Sequence, residues 1–163
     1  MSELEVDRLL HQLSDHNSMT SLFTRKKAAE KLGQLKDPKA TEPLIKALDD
    51  ETWPVTAAAA EALAAIGNRK AVPYLIARLK VGGKITLGEE KAVIKALGIL
   101  QDVRALKILI LLLKEQSKVR EKMGANYFGN LDVILTALQQ ITKSNLGEDP
   151  SEWDRWWCET NPS

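Results

Sequence analysis

The chain has 163 residues, of which 44% are hydrophobic and 28% charged, and its net charge at pH 7 is +1. This is enough chain for one core without disulfides or metals, and the composition is not that of a disordered polymer. The near-neutral balance lacks the basic push of a nucleic-acid binder, and a single cysteine, Cys158, excludes an internal disulfide.

The opening residues MSELEVDRLL are acidic and polar, without the basic start and apolar run of a signal peptide. The longest apolar run, Ile108–Leu113, has six residues, far short of the roughly 20 that a membrane span needs. A cytoplasmic protein without membrane contact is expected. Glu5 stands three residues after Ser2, a capping-box spacing. The helix it opens carries Val6, Leu9, Leu10 and Leu13 on one face, and Asp15–Ser18 breaks it.

The chain then repeats itself. At a shift of 31, Leu32 meets Leu63, Leu35 meets Ile66, Ala40 meets Ala71, Leu44 meets Leu75 and Leu48 meets Leu79. A shift of 34 carries Leu63 onto Leu97, Ile66 onto Leu100, Ala71 onto Ala105 and Leu79 onto Leu113. Periods of this length with helical spacing inside each unit predict stacked helix pairs. Asp37-Pro38 marks the turn inside the first unit, and a helix is expected from about Pro38 to Leu48. The extra residues of the third unit fall in the glycine-bearing link Val81–Gly88.

The second helix of the third unit, residues 104–114, is apolar nearly all round and needs cover on both sides. That cover is either residues 115–130 or a second copy, giving a homo-dimer. Tyr127-Phe128 is expected to plug this helix. A last half-unit starts at Asn130, a candidate N-cap, with Val133, Ile134, Ala137, Leu138 and Ile141 inward. Ser151 with Asp154 would then cap a short helix bearing Trp153, Trp156 and Trp157 on one side, the structural lid of the stack.

The fold expected is all-α: a right-handed α-solenoid of about four helix pairs with a Trp-rich C-terminal capping helix. Its divisions fall at 1–18 for the N-terminal cap, 19–52, 53–85 and 86–123 for three repeats, and 130–163 for a degenerate repeat and cap.

The residues Ala28, Leu32, Gly33, Asp37, Pro38, Ala40, Leu44, Ile45, Leu48 and Asp50 follow an Ala-rich helix ending in Leu-Gly, an Asp-Pro turn and Ala-x-x-x-Leu-Ile-x-x-Leu-x-Asp. This pattern resembles the HEAT-like repeats named after the phycobilisome lyase subunits, well over Thr24–Leu113 and weakly on the flanks. Ile141-Thr142 followed by Gly147, Asp149-Pro150 and Trp153–Trp157 is similar to the tail of bacterial proteins of this kind. The family's Arg at the start of each first helix is met by Arg25, whereas Thr56 and Glu90 stand there in the next two units, so an Asp-to-Arg ladder would be incomplete. The resemblance implies a bilin lyase or phycobiliprotein chaperone component as an alternative function, and a nucleic-acid-binding HEAT-like enzyme as a remoter one.

No constellation of catalytic residues stands out. His11 and His16 lack zinc-site spacing with the lone Cys158, which reads as a bystander thiol. Gly82-Gly83 lacks the spacing of a phosphate cradle. The leading expectation is therefore a non-catalytic interaction module, without cofactor or metal, that binds a partner protein rather than nucleic acid. In such stacks the second helices are expected to line the concave side. Their outward residues Glu42, Lys46, Tyr74, Arg78, Lys107 and Leu111, with Trp53 just before Pro54, are the candidate binding residues.

Overall fold

Small residues set the spacing of this molecule. The computed structural model describes residues 3–16, 21–80 and 85–160, and every element among them is helical. They form α1 (Glu3–Leu13), α2 (Ser21–Leu35), α3 (Thr41–Ala47), α4 (Trp53–Ile66), α5 (Val72–Lys80), α6 (Leu87–Leu100), α7 (Leu106–Met123), α8 (Leu131–Thr142) and α9 (Pro150–Thr160). Ser2 and Thr20 lie outside the described residues, as does 81–84 within the glycine-bearing link.

Two layers result. The first helices α2, α4, α6 and α8 stack side by side, while α1, α3, α5 and α7 lie against them as the second layer, with α9 on α7. A β-carbon on Gly33 would come within 2.7 Å of the Ala62 Cα, and one on Gly98 within 2.9 Å of the Ala137 Cα. Only small residues permit so close an approach, and the alanines of α4 that supply them are also the best helix formers. In the second layer α3, α5 and α7 scarcely touch one another; α5 reaches its neighbour mainly through the turn that leads into α7. The tighter layer is therefore the alanine-rich one.

Each turn between a first and a second helix is built alike. Asp37, Asn68 and Asp102 each accept a bond from the amide two residues on, at Lys39, Lys70 and Arg104. A short 3-10 turn follows in each case, at Pro38–Ala40, Arg69–Ala71 and Val103–Ala105. The α-helix expected from Pro38 thus begins at Thr41, because the side-chain cap holds a tighter turn first. The first helices end in left-handed backbone at equivalent positions, Lys36, Gly67 and Gln101.

The interior is one continuous cluster from Val6 to Trp153. Arg25, 1% exposed, bonds the Asp50 carboxylate through Nε at 2.8 Å and Nη2 at 3.2 Å, tying the start of α2 to the end of the first repeat. At the corresponding place in α6, Glu90 is buried and accepts a bond from Asn130 Nδ2 at 2.7 Å. That same nitrogen also reaches the Leu87 carbonyl at 3.0 Å. Asn130 therefore stands at the head of α8 without capping it through its side chain; its amide is spent on satisfying a buried carboxylate instead.

The apolar helix is covered from within its own chain. Leu106, Ile108, Leu109, Ile110, Leu112 and Leu113 are buried, chiefly under α8 and α9, and only Leu111 stays open. The need for a second copy as cover over 104–114 therefore falls away. The expected plug is half met. Tyr127 packs on the core and donates to Gln116 Oε1 at 2.6 Å, whereas Phe128 is 78% exposed.

At the far end, Asp149 rather than Ser151 caps α9, accepting from the Ser151 amide at 2.9 Å. Trp153 is wholly buried and donates from Nε1 to the Gly147 carbonyl at 2.9 Å. Trp156 and Trp157 are only partly covered, so the three indoles are unequal. Lys114–Asp154 and Arg120–Glu148, at 2.6 and 2.7 Å, pin the C-terminal segment to α7.

Candidate functional site

The two layers present two different faces. On the second helices, Glu42, Lys46, Tyr74, Lys107 and Leu111 point outward, with Tyr74 47% and Leu111 49% exposed. Glu42 is engaged with Lys70 across the repeat boundary, a bond that holds the Lys70 ammonium above its ordinary value. Arg78 is turned away from this ridge: its Nε donates to Glu89 Oε1 at 2.5 Å, serving as counter-ion to a carboxylate that is 2% exposed. It joins α5 to α6, and its first task is to neutralise a buried charge. Beside the ridge, Leu10, Leu13, Pro43 and Ala47 floor a hollow of about 480 Å3 between α1 and α3, with Glu42, Lys46, Asp49 and His16 at its mouth.

The alanine-rich layer carries a second surface that the sequence reading passed over. Lys26, Trp53, Ala57, Glu61, Lys91 and Lys95 border a hollow of about 290 Å3 across α2, α4 and α6. Lys91 and Lys95 also border one of about 350 Å3 between α6 and α8, with Ile99, Thr136 and Gln140. Lys91 and Lys95, projecting from α6, stand between the two hollows and border both. Trp53 is the first residue of α4, not a loop residue, and its half-exposed indole rests on Gly88 at the head of α6. Lys26 is partnered by Glu30 at 3.3 Å. Among the described residues no carboxylate pairs with Lys91 or Lys95, which stand one helical turn apart. Ala57 occupies the place that Lys26 and Lys91 hold in the neighbouring repeats, and its small side chain leaves room for the first of these hollows. That periodic contrast was the available signal.

Among the described residues no group of His, Cys, Asp and Glu could hold a metal ion. Cys158 is exposed on α9, and among the described residues no helix is long and apolar enough to cross a membrane.

Comparison with known proteins agrees with this architecture. Residues 6–83 match the profile of the HEAT repeats family. The chain is 35% identical over 108 residues to phycocyanobilin lyase subunit alpha of Picosynechococcus sp. (strain PCC 7002), an alignment covering 59% of this chain and 40% of that protein. The chain thus spans well under half the length of this curated relative. It also superposes along its whole length, with a TM-score of 0.71 and 25% identity, on 67% of a chain in the complex of CpcE and CpcF of phycocyanin lyase from Nostoc sp. PCC7120. The expectation of a chain that is no enzyme is corrected by these findings, since both similar proteins are named as parts of lyases.

Proposed function

We propose that this HEAT-repeat protein is a subunit of a phycobilin lyase, working with a second helical-repeat chain to make or break the bond between a linear tetrapyrrole and its phycobiliprotein. The observation that carries the proposal is the match of the entire chain to one member of a two-protein phycocyanin lyase complex. The identity to a phycocyanobilin lyase subunit supports it independently of the fold.

The architecture suits a divided task. A stack of rigid helix pairs holds side chains at fixed separations along a surface, which is what orienting a long, flexible substrate demands. The ridge of Lys46, Tyr74, Lys107 and Leu111 on the second helices, flanked by Glu42, is the face we assign to the partner protein. It mixes an aromatic anchor with charges at its rim, as interfaces do. The test has two readouts: the purified chain mixed with a candidate second subunit elutes as a hetero-complex, and Tyr74→Glu with Lys107→Glu abolishes it. The assembled pair, given phycocyanobilin and apo-phycocyanin, raises the absorbance of protein-linked bilin. No complex and no absorbance gain would contradict the proposal.

A further inference from the structure

We infer that the edge where the first helices begin is the docking surface for the acceptor phycobiliprotein, through a row of exposed apolar side chains, Phe23, Trp53, Leu87 and Phe128. This deepens the lyase reading and rests on it. The row is periodic, one residue at or just before the head of each first helix. The shift of 31 carries Leu22 onto Trp53, and the shift of 34 carries Trp53 onto Leu87. A shift of 41, which takes Leu97 to Leu138 and Leu100 to Ile141, carries Leu87 onto Phe128. In the first unit Leu22 is half-buried and its neighbour Phe23 takes the exposed place. The four side chains keep 76, 51, 53 and 78% of their surface in water. Apolar residues scattered singly on a surface are ordinary. The same place filled by a large one in four successive units is not, since the inward Leu and Ala positions already build the core.

Contacts beneath the row hold the heads in fixed relation. Asp50 accepts bonds from Arg25 Nε at 2.8 Å and from the Thr52 amide at 2.9 Å, joining the head of α2 to that of α4. Trp53 lies on Gly88, joining α4 to α6. Asn130 Nδ2 donates to the Leu87 carbonyl and to Glu90, joining α6 to α8. A frame fixed in this way loses little freedom when a partner binds.

Size decides the kind of partner. Helix axes about 8–10 Å apart spread the four heads over about 25–30 Å. An amphipathic helix of about 20 residues has that length, and its apolar positions recur every seven residues, or about 10.5 Å. The row offers roughly 500 Å2 of apolar surface, against the roughly 800 Å2 that each side of a stable complex buries. This is too little for a permanent subunit or a second copy, and it suits a protein bound and released in each turnover. The acceptor is the protein of a lyase reaction that has to leave. The edge is separate from the ridge on the second helices assigned to the second subunit, so both proteins are held at once.

The test titrates the full chain, assembled with its second subunit, with dye-labelled apo-phycocyanin and follows the fluorescence anisotropy. L87S/F128S weakens acceptor binding about tenfold or more, while the variant still co-elutes with the second subunit. Both side chains are largely exposed, so unchanged melting curves certify the fold. Should the double variant melt early, F128S alone serves, with a loss of about threefold. Unchanged acceptor affinity in the folded variants overturns the docking assignment and leaves the lyase reading standing. Loss of the second subunit from L87S/F128S does the same, because it gives the row to that subunit. Dimerisation of the chain alone that L87S/F128S abolishes gives the row to a second copy and likewise overturns the assignment. No apo-phycocyanin binding by the wild-type pair overturns both readings.

Discussion

The indole of Trp53 rests on the backbone at Gly88, where a β-carbon would stand 3.1 Å from its Cζ3. This contact joins the heads of α4 and α6 beside the hollow across α2, α4 and α6, yet Trp53 keeps 51% of its surface in water. Trp53→Ala is therefore expected to cost only about 1 kcal/mol of stability, measured as a shift in the urea midpoint.

Trp153 behaves differently. It is fully buried and its Nε1 is satisfied by the Gly147 carbonyl, so Trp153→Ala should cost about 3–5 kcal/mol. Trp156→Ala and Trp157→Ala should each cost clearly less, because both side chains are partly in solvent. Denaturant titration of the three variants checks the ranking; equal losses would show that the lid closes more completely than described.

The Arg25–Asp50 pair makes stability depend on acid. Burial alone would raise the Asp50 carboxyl, but bonds from Arg25 and from the hydroxyl and amide of Thr52 outweigh it and hold the group below its ordinary range. A depressed carboxylate adds stability that is complete above its unfolded value, about 3.9, and drains away as pH falls through the lower folded value. Melting temperature should therefore drop below about pH 4, and less steeply in Asp50→Asn. Arg25→Ala at neutral pH leaves Asp50 without its guanidinium partner and should cost about 3–5 kcal/mol.

Close approach of the first helices gives a further test. Gly33→Leu places atoms where Ala62 already lies and should destabilise by about 3 kcal/mol or more. Gln101→Gly should do the reverse. Gln101 holds left-handed backbone, φ 49°, where the second repeat uses Gly67, and relieving that strain is worth about 1 kcal/mol. Thermal melts of both variants report the two signs.

Much of this was legible in the sequence, and the boundary is physical. The shifts of 31 and 34 located the helix pairs because inward Leu and Ala positions obey local spacing. Which layer is tighter was not legible. It depends on Gly33 meeting Ala62 and Gly98 meeting Ala137, contacts between helices that periodicity alone does not rank. Pair choices across the stack were equally hidden. Arg78 turns to Glu89 and Asn130 to Glu90, which removes the first from the ridge and leaves α8 without a side-chain cap. Trp53 was legible as unusual, but its place beside Lys91 needed α4 and α6 brought side by side. The non-catalytic expectation came from searching the sequence for a compact cluster of reactive groups, whereas the hollows of the first-helix layer are lined by residues from neighbouring helices that lie far apart in the chain.

The most direct measurement is the initial rate at which phycocyanobilin becomes covalently attached to apo-phycocyanin, counted after denaturation so that only linked pigment remains. With this chain and its second subunit present the rate should exceed that of the same mixture lacking the chain. Equal rates with and without the chain would contradict its assignment as a lyase subunit.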